Sequence, residues 1–164
     1  MPVKVMLMSI DAEIDVEDTK EGKDLEKALE ELEGKEVEIG FIAGQDSEED
    51  GTDVAEVAGI NEFGTSTIPS RPFLRNSFDN HQDEINSFCD NLSGKMLSGQ
   101  IEISQGLKLL GEEQRNHVID EIRTGDFVEN APATIAKKKS SHPLIDTGQM
   151  MQSVHRLVDG QLID

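Results

Sequence analysis

Two closely spaced prolines, Pro69 and Pro72, constrain this chain more than any other residues. Each fixes its own φ and pushes the residue before it out of the α region. Ile68 and Arg71 are therefore expected to be extended, and no helix is expected between Ile68 and Phe73. Upstream, Val54, Val57, Ala58 and Asn61 share one helical face of Val54–Phe63. Thr52 or Asp53 stands where a cap is needed, and Gly64 lies just past the end. Thr65–Ser70 is β-branched and polar, hence extended. Downstream, Asn76–Ser93 carries Phe78, Ile85, Phe88, Cys89 and Leu92 at helical spacing. The result is a stiff strap between two helices, presenting Arg71 and Arg75 at low entropy cost. Each guanidinium has two available uses: pairing with a carboxylate of its own chain, or bidentate pairing across an interface.

The other segments follow the two periodicities of regular structure. Ile10, Ala12, Ile14 and Val16 alternate with Asp11, Glu13, Asp15 and Glu17, so Val3–Val16 reads as extended. Glu21–Glu33 places Leu25, Ala28, Leu29 and Leu32 on one helical face, and Gly34 ends it. Glu36–Ala43 alternates again, with Val37, Ile39, Phe41 and Ala43 on one side and Glu36 and Glu38 on the other. Gln45–Gly51 is a polar loop expected to be mobile. Ile101–Arg123 is a helix whose first half Gly106 and Gly111 should loosen. Asn130–Lys139 holds a short helix or turn ending in Lys137, Lys138 and Lys139, a solvated run. Asp146 is expected to cap a short helical turn. Val154–Val158 and Leu162–Ile163 read as a hairpin through Asp159–Gly160. Together these elements predict a single α+β domain over 1–164: a small, mostly antiparallel sheet packed against two or three helices, with 1–20 an acidic N-terminal strand segment.

Charge narrows the function classes. The net charge is −19, and residues 1–56 hold 19 Asp and Glu against 5 Lys and Arg, so most of the excess lies there. A conventional DNA-binding surface needs clustered Lys and Arg and is not expected. Cys89 is the single cysteine, which excludes an internal disulfide. No run approaches the ~18 apolar residues of a membrane span, and the N-terminus is a poor signal peptide.

Candidate chemistry is sparse. Asp46, Glu48, Asp50 and Gly51 imitate the start of a calcium loop, but its twelfth position is Val57 rather than Glu. His81, His117, His142 and His155 show no zinc-ligand spacing. Cys89, beside Phe88 on an apolar face, reads as a core filler. Asp146-Thr147-Gly148 matches the aspartic-protease tripeptide, but one copy cannot share a proton between two carboxylates. Neither a catalytic residue, a metal site nor a cofactor is expected.

INEFGT followed by IPSRPFLRNSF resembles the signature of a tailed-phage structural family, the virion-morphogenesis, tail-completion and head–tail joining neck proteins. PLIDTGQMMQSV at Pro143–Val154 resembles that family's C-terminal motif, and GKEVEIGFIAG at Gly34–Gly44 also fits. The likeness covers roughly residues 21–158. It implies a non-enzymatic virion protein assembled in the host bacterial cytoplasm. It also implies a closed homo-oligomeric ring, with a hexamer favoured over a dodecamer, that contacts neighbouring neck, tail-tube or connector proteins and no membrane. Asn61, Glu62, Phe63, Arg71, Phe73, Arg75 and Asp146 are then the expected interface residues.

If the apolar sides of both strands face one core, Asp11, Glu13, Asp15, Glu17, Glu36 and Glu38 form one acidic outer face. In a ring, that face is expected to line the channel, so that DNA passes without specific binding. Its other reading is a solvated outer surface. The rival functions are an acidic adaptor or DNA-mimic inhibitor, suggested by charge alone, and a hydrolase, for which no convergent acid, base and nucleophile can be assembled.

Overall fold

The computed structural model describes residues 3–5, 19–138 and 142–163, with residues 3–5, 137 and 138 by backbone alone. Its elements run β1 (Val3–Val5), α1 (Lys20–Leu32), β2 (Val37–Gly40), α2 (Val54–Phe63), α3 (Phe73–Asn80) and α4 (Gln82–Leu97). They continue with α5 (Ile103–Thr124), α6 (Pro132–Lys138), α7 (Gln149–Gln152), β3 (His155–Val158) and β4 (Gln161–Ile163). The four strands form one sheet in the order β1-β2-β3-β4, antiparallel throughout. The fold is α+β, as the two periodicities predict.

Alternation in β2 puts Val37 and Ile39 into the core and leaves Glu38 half-buried on the other side. Val37 pairs with Val158 and Ile39 with Arg156, and α5 packs across β2 and β3. Glu38 has Lys4 and Leu157 as its Cα partners, and Leu157 in turn pairs with the exposed Leu162. Among the described residues, the outer face of the sheet therefore mixes leucine with carboxylate around Glu38. Asp11, Glu13, Asp15 and Glu17 lie outside the described residues.

The β3–β4 hairpin turns through Asp159 and Gly160, both at positive φ (51° and 72°), the backbone of a type I′ turn. Asp159 also ties this turn to the start of β2. Its carboxylate accepts from the Glu36 amide at 3.1 Å and pairs with Lys35 Nζ at 2.6 Å.

Helix α5 is the central element, in contact with α1, α3, α4, β2 and β3. Its Leu107, Leu110, Val118 and Ile122 join Val37, Ile39 and Phe73 in one buried cluster. The expectation that Gly106 and Gly111 loosen this helix is corrected, because both are buried packing positions. A Cβ at Gly106 would lie 2.2 Å from Met96 Sδ, so the glycine admits α4.

Two further expectations are revised. The helix predicted over Asn76–Ser93 is two helices, broken at His81 (φ −114°, ψ 16°). The Gln45–Gly51 loop is closed on itself: Glu48 N donates to Thr52 O at 2.8 Å, Gly51 N to Glu48 O at 2.9 Å, and Ser47 bridges Asp53. His155 on β3 pairs with Asp46, which anchors the loop to the sheet. Local polarity hid these bonds, whose partners include a residue over a hundred positions away.

Candidate interface around the proline strap

Helix α2 begins where Asp53 Oδ1 accepts from Ala55 N at 2.9 Å, and Asp53 Oδ2 also takes Gly44 N at 2.8 Å. It ends at Gly64 (φ 71°), over which the strap folds back. Thr65 N donates to Ile68 O at 2.8 Å, Ser70 Oγ to Glu62 O at 2.7 Å, and Arg71 N to Asn61 O at 2.6 Å. The prolines remove competing donors, so these few bonds suffice to define the path.

The strap delivers the chain to α3, whose N-cap Pro72 offers no side-chain cap. Glu62 replaces it from the end of the previous helix. The residue is 2% exposed, and its Oε2 accepts from Leu74 N at 2.8 Å while Oε1 accepts from Arg75 N at 3.4 Å. Those amides belong to the first turn of α3, where unsatisfied donors and the helix dipole both favour a carboxylate. Arg75 completes the arrangement, with Nε on Glu62 Oε1 at 2.7 Å and Nη2 on Glu62 O at 2.9 Å. Its guanidinium also stands 5.7 Å from the Phe63 ring centroid.

Arg71 points inward. It is 4% exposed, with Nε on Val128 O at 2.8 Å, Nη2 on Glu129 O and Asn130 Oδ1 at 3.2 Å each, and Nη1 on Asn61 Oδ1 at 3.3 Å. Burial lowers its pKa from the ordinary guanidinium value. The fork thus uses carbonyl-type oxygens of its own chain to hold the strap against the segment after α5.

The expected interface set divides accordingly. Arg71 and Glu62 are internal braces, and Phe73 is a core residue in edge-to-face contact with Phe41 at 5.9 Å. Asn61 is half-buried, and its side-chain amide donates to Val57 O. Arg71, Glu62 and Phe73 are buried and present no surface in this fold. Phe63 (63% exposed), Arg75 and Asp146 are exposed. Asp146 is no cap, since α7 starts after Gly148 and its Gln149 amide takes Thr147 Oγ1 instead. Helix α7 packs against α2, so the two sequence motifs meet in space.

Elsewhere, Cys89 is half-buried, and burial followed by Asp90 raises its thiol pKa, which suits a packing role. One group that spacing missed combines metal-capable side chains: His81, Glu84 and His117 each place a ligand atom within 4.8 Å of the others. His81 sits in the break between α3 and α4 and His117 on α5, so no local spacing could reveal the pair. No family model, no curated protein and no solved structure matches the chain.

Proposed function

We propose that this chain is a structural subunit of a tailed-phage neck, a ring-forming head–tail connector or tail-completion protein. The observation that carries the reading is the surface built around Arg71. Phe63, Ile68 and Val128 are all exposed, and the segments bearing them are bound together by the buried guanidinium and the Gly64 turn. Exposed apolar side chains held on a braced framework suit a standing protein contact, because little conformational freedom remains to be lost on binding. The motif resemblance over the same residues supports the reading, as does the meeting of its two parts at α2 and α7.

The test is the mass of the purified chain in solution, combined with its copy number in virions. A closed ring, with a hexamer expected, is the supporting result. Phe63→Asp with Ile68→Asp should give folded monomers that do not enter particles. A wild-type chain that is absent from purified particles would overturn the reading.

A further inference from the structure

The side chains of His81, Glu84 and His117 occupy the corner where α3 breaks into α4 and both meet α5. The break at His81 turns its imidazole onto His117, with ring centroids 4.1 Å apart and planes inclined by 31°. Nδ1 of His81 lies 2.9 Å from Ser77 O. A carbonyl oxygen only accepts, so Nδ1 is the donor here, which in the neutral ring leaves the Nε2 lone pair for a metal ion. A backbone carbonyl on the far ring nitrogen is the usual way a ligand imidazole is oriented.

His117 is 8% exposed, and its Nε2 is buried with no hydrogen-bond partner. The Glu113 Oε1 atom stands 3.8 Å away, beyond hydrogen-bond range. A buried polar nitrogen left unpaired costs about 1–3 kcal/mol, so its retention calls for a cause. Glu84, Glu113 and Asp120 all act electrostatically on this ring.

We propose that His81, Glu84 and His117 bind one divalent cation of the zinc class, linking the α3–α4 corner to α5. Two imidazole nitrogens and a carboxylate suit zinc, cobalt or nickel, whereas calcium and magnesium take oxygen ligands. Zinc bonds of ~2.0–2.1 Å require ligand atoms about 3.3 Å apart, so the group must contract from its present spacing. Exposed Glu84 is free to make most of that movement, and Glu113 or water completes the coordination. The ion would grip the C-terminal end of α3, whose N-terminal end Glu62 already holds. This inference does not depend on the proposed neck function.

The experiment uses the untagged full chain, stripped with chelator and titrated with zinc, cobalt, calcium and magnesium separately. Calorimetry should show one zinc per chain at micromolar affinity or tighter, and cobalt should give visible absorption bands of a nitrogen and oxygen ligand set. The melting temperature should rise with zinc concentration. His81→Ala and His117→Ala should each weaken zinc binding by more than about 100-fold, since outer partners alone cost 10- to 100-fold. Glu84→Gln should weaken it less. If His117→Ala fails to fold, His81→Ala and Glu84→Gln still decide the matter. Absence of saturable binding, zinc affinity unchanged in His81→Ala or Glu84→Gln, or loss of binding in His142→Ala or His155→Ala instead would overturn the proposal.

Discussion

Glu62 and Arg75 are joined twice, once through the carboxylate at 2.7 Å and once through the Glu62 backbone carbonyl at 2.9 Å. The double contact fastens the end of α2 to the first turn of α3 across the intervening strap. The same carboxylate takes the Leu74 amide, so one side chain serves as helix cap and as ion-pair partner.

Glu62→Ala should therefore destabilise the protein by about 2–3 kcal/mol, through a lost cap and newly unpaired buried amides. Glu62→Gln keeps one acceptor and should cost about half as much. Urea unfolding midpoints of the purified variants measure both.

Arg71 and Arg75 should behave differently. Arg71→Ala strips a buried donor from four oxygens and should cost about 3 kcal/mol, and Arg71→Lys should recover little because its ammonium cannot reproduce the fork. Arg75→Ala removes a side chain that is 55% exposed but leaves the buried Glu62 carboxylate with backbone donors alone, and should cost about 1–2 kcal/mol. Equal losses in the two variants by chemical denaturation would contradict the bracing role of Arg71.

At Gly64 a Cβ would meet Ser70 N at 2.8 Å and Ile68 O at 2.9 Å, and φ is 71°. Gly64→Ala combines left-handed strain with a backbone clash and should cost about 2–3 kcal/mol. Gly34 has a similar φ of 72° but open space around it, so Gly34→Ala isolates the strain alone at about 1 kcal/mol. The difference between their thermal or urea midpoints reads the tightness of the strap.

The Lys35–Asp159 pair predicts a pH window. Its hydrogen bond to Lys35, followed by the Glu36 amide, lowers the Asp159 pKa below the ordinary 3.8, and Asp159 raises the Lys35 pKa above 10.5. The carboxylate's contribution is complete above 3.8 and disappears as pH falls through the lower folded value. The ammonium's contribution is complete below 10.5 and disappears as pH rises through the higher folded value. Asp159→Asn, which tolerates the same positive φ, should lower the melting temperature at pH 7 and have a shrinking effect below pH 3.8. A difference that persists unchanged to pH 2 would rule out this pair as its source.

What the amino-acid order determined alone is what depends on near neighbours. The α2 limits at Val54 and Phe63 follow from Asp53, the apolar spacing and Gly64. Asp159-Gly160 specified a hairpin turn, and alternation placed Val37 and Ile39 inward. Tertiary structure decided the partners of the polar groups. Arg71 had two local readings, partner surface or own carboxylate, and folding supplied a third in carbonyls 57 and 58 residues away. Glu62 looked like a surface residue until α3 arrived with unpaired amides above it. The break at His81 interrupts an apolar stripe that runs on regularly, so only packing against α5 reveals it, and with it the approach of His117. Helix caps and turns are set by a few adjacent residues, whereas a buried charge or imidazole takes whichever partner the completed core brings within reach.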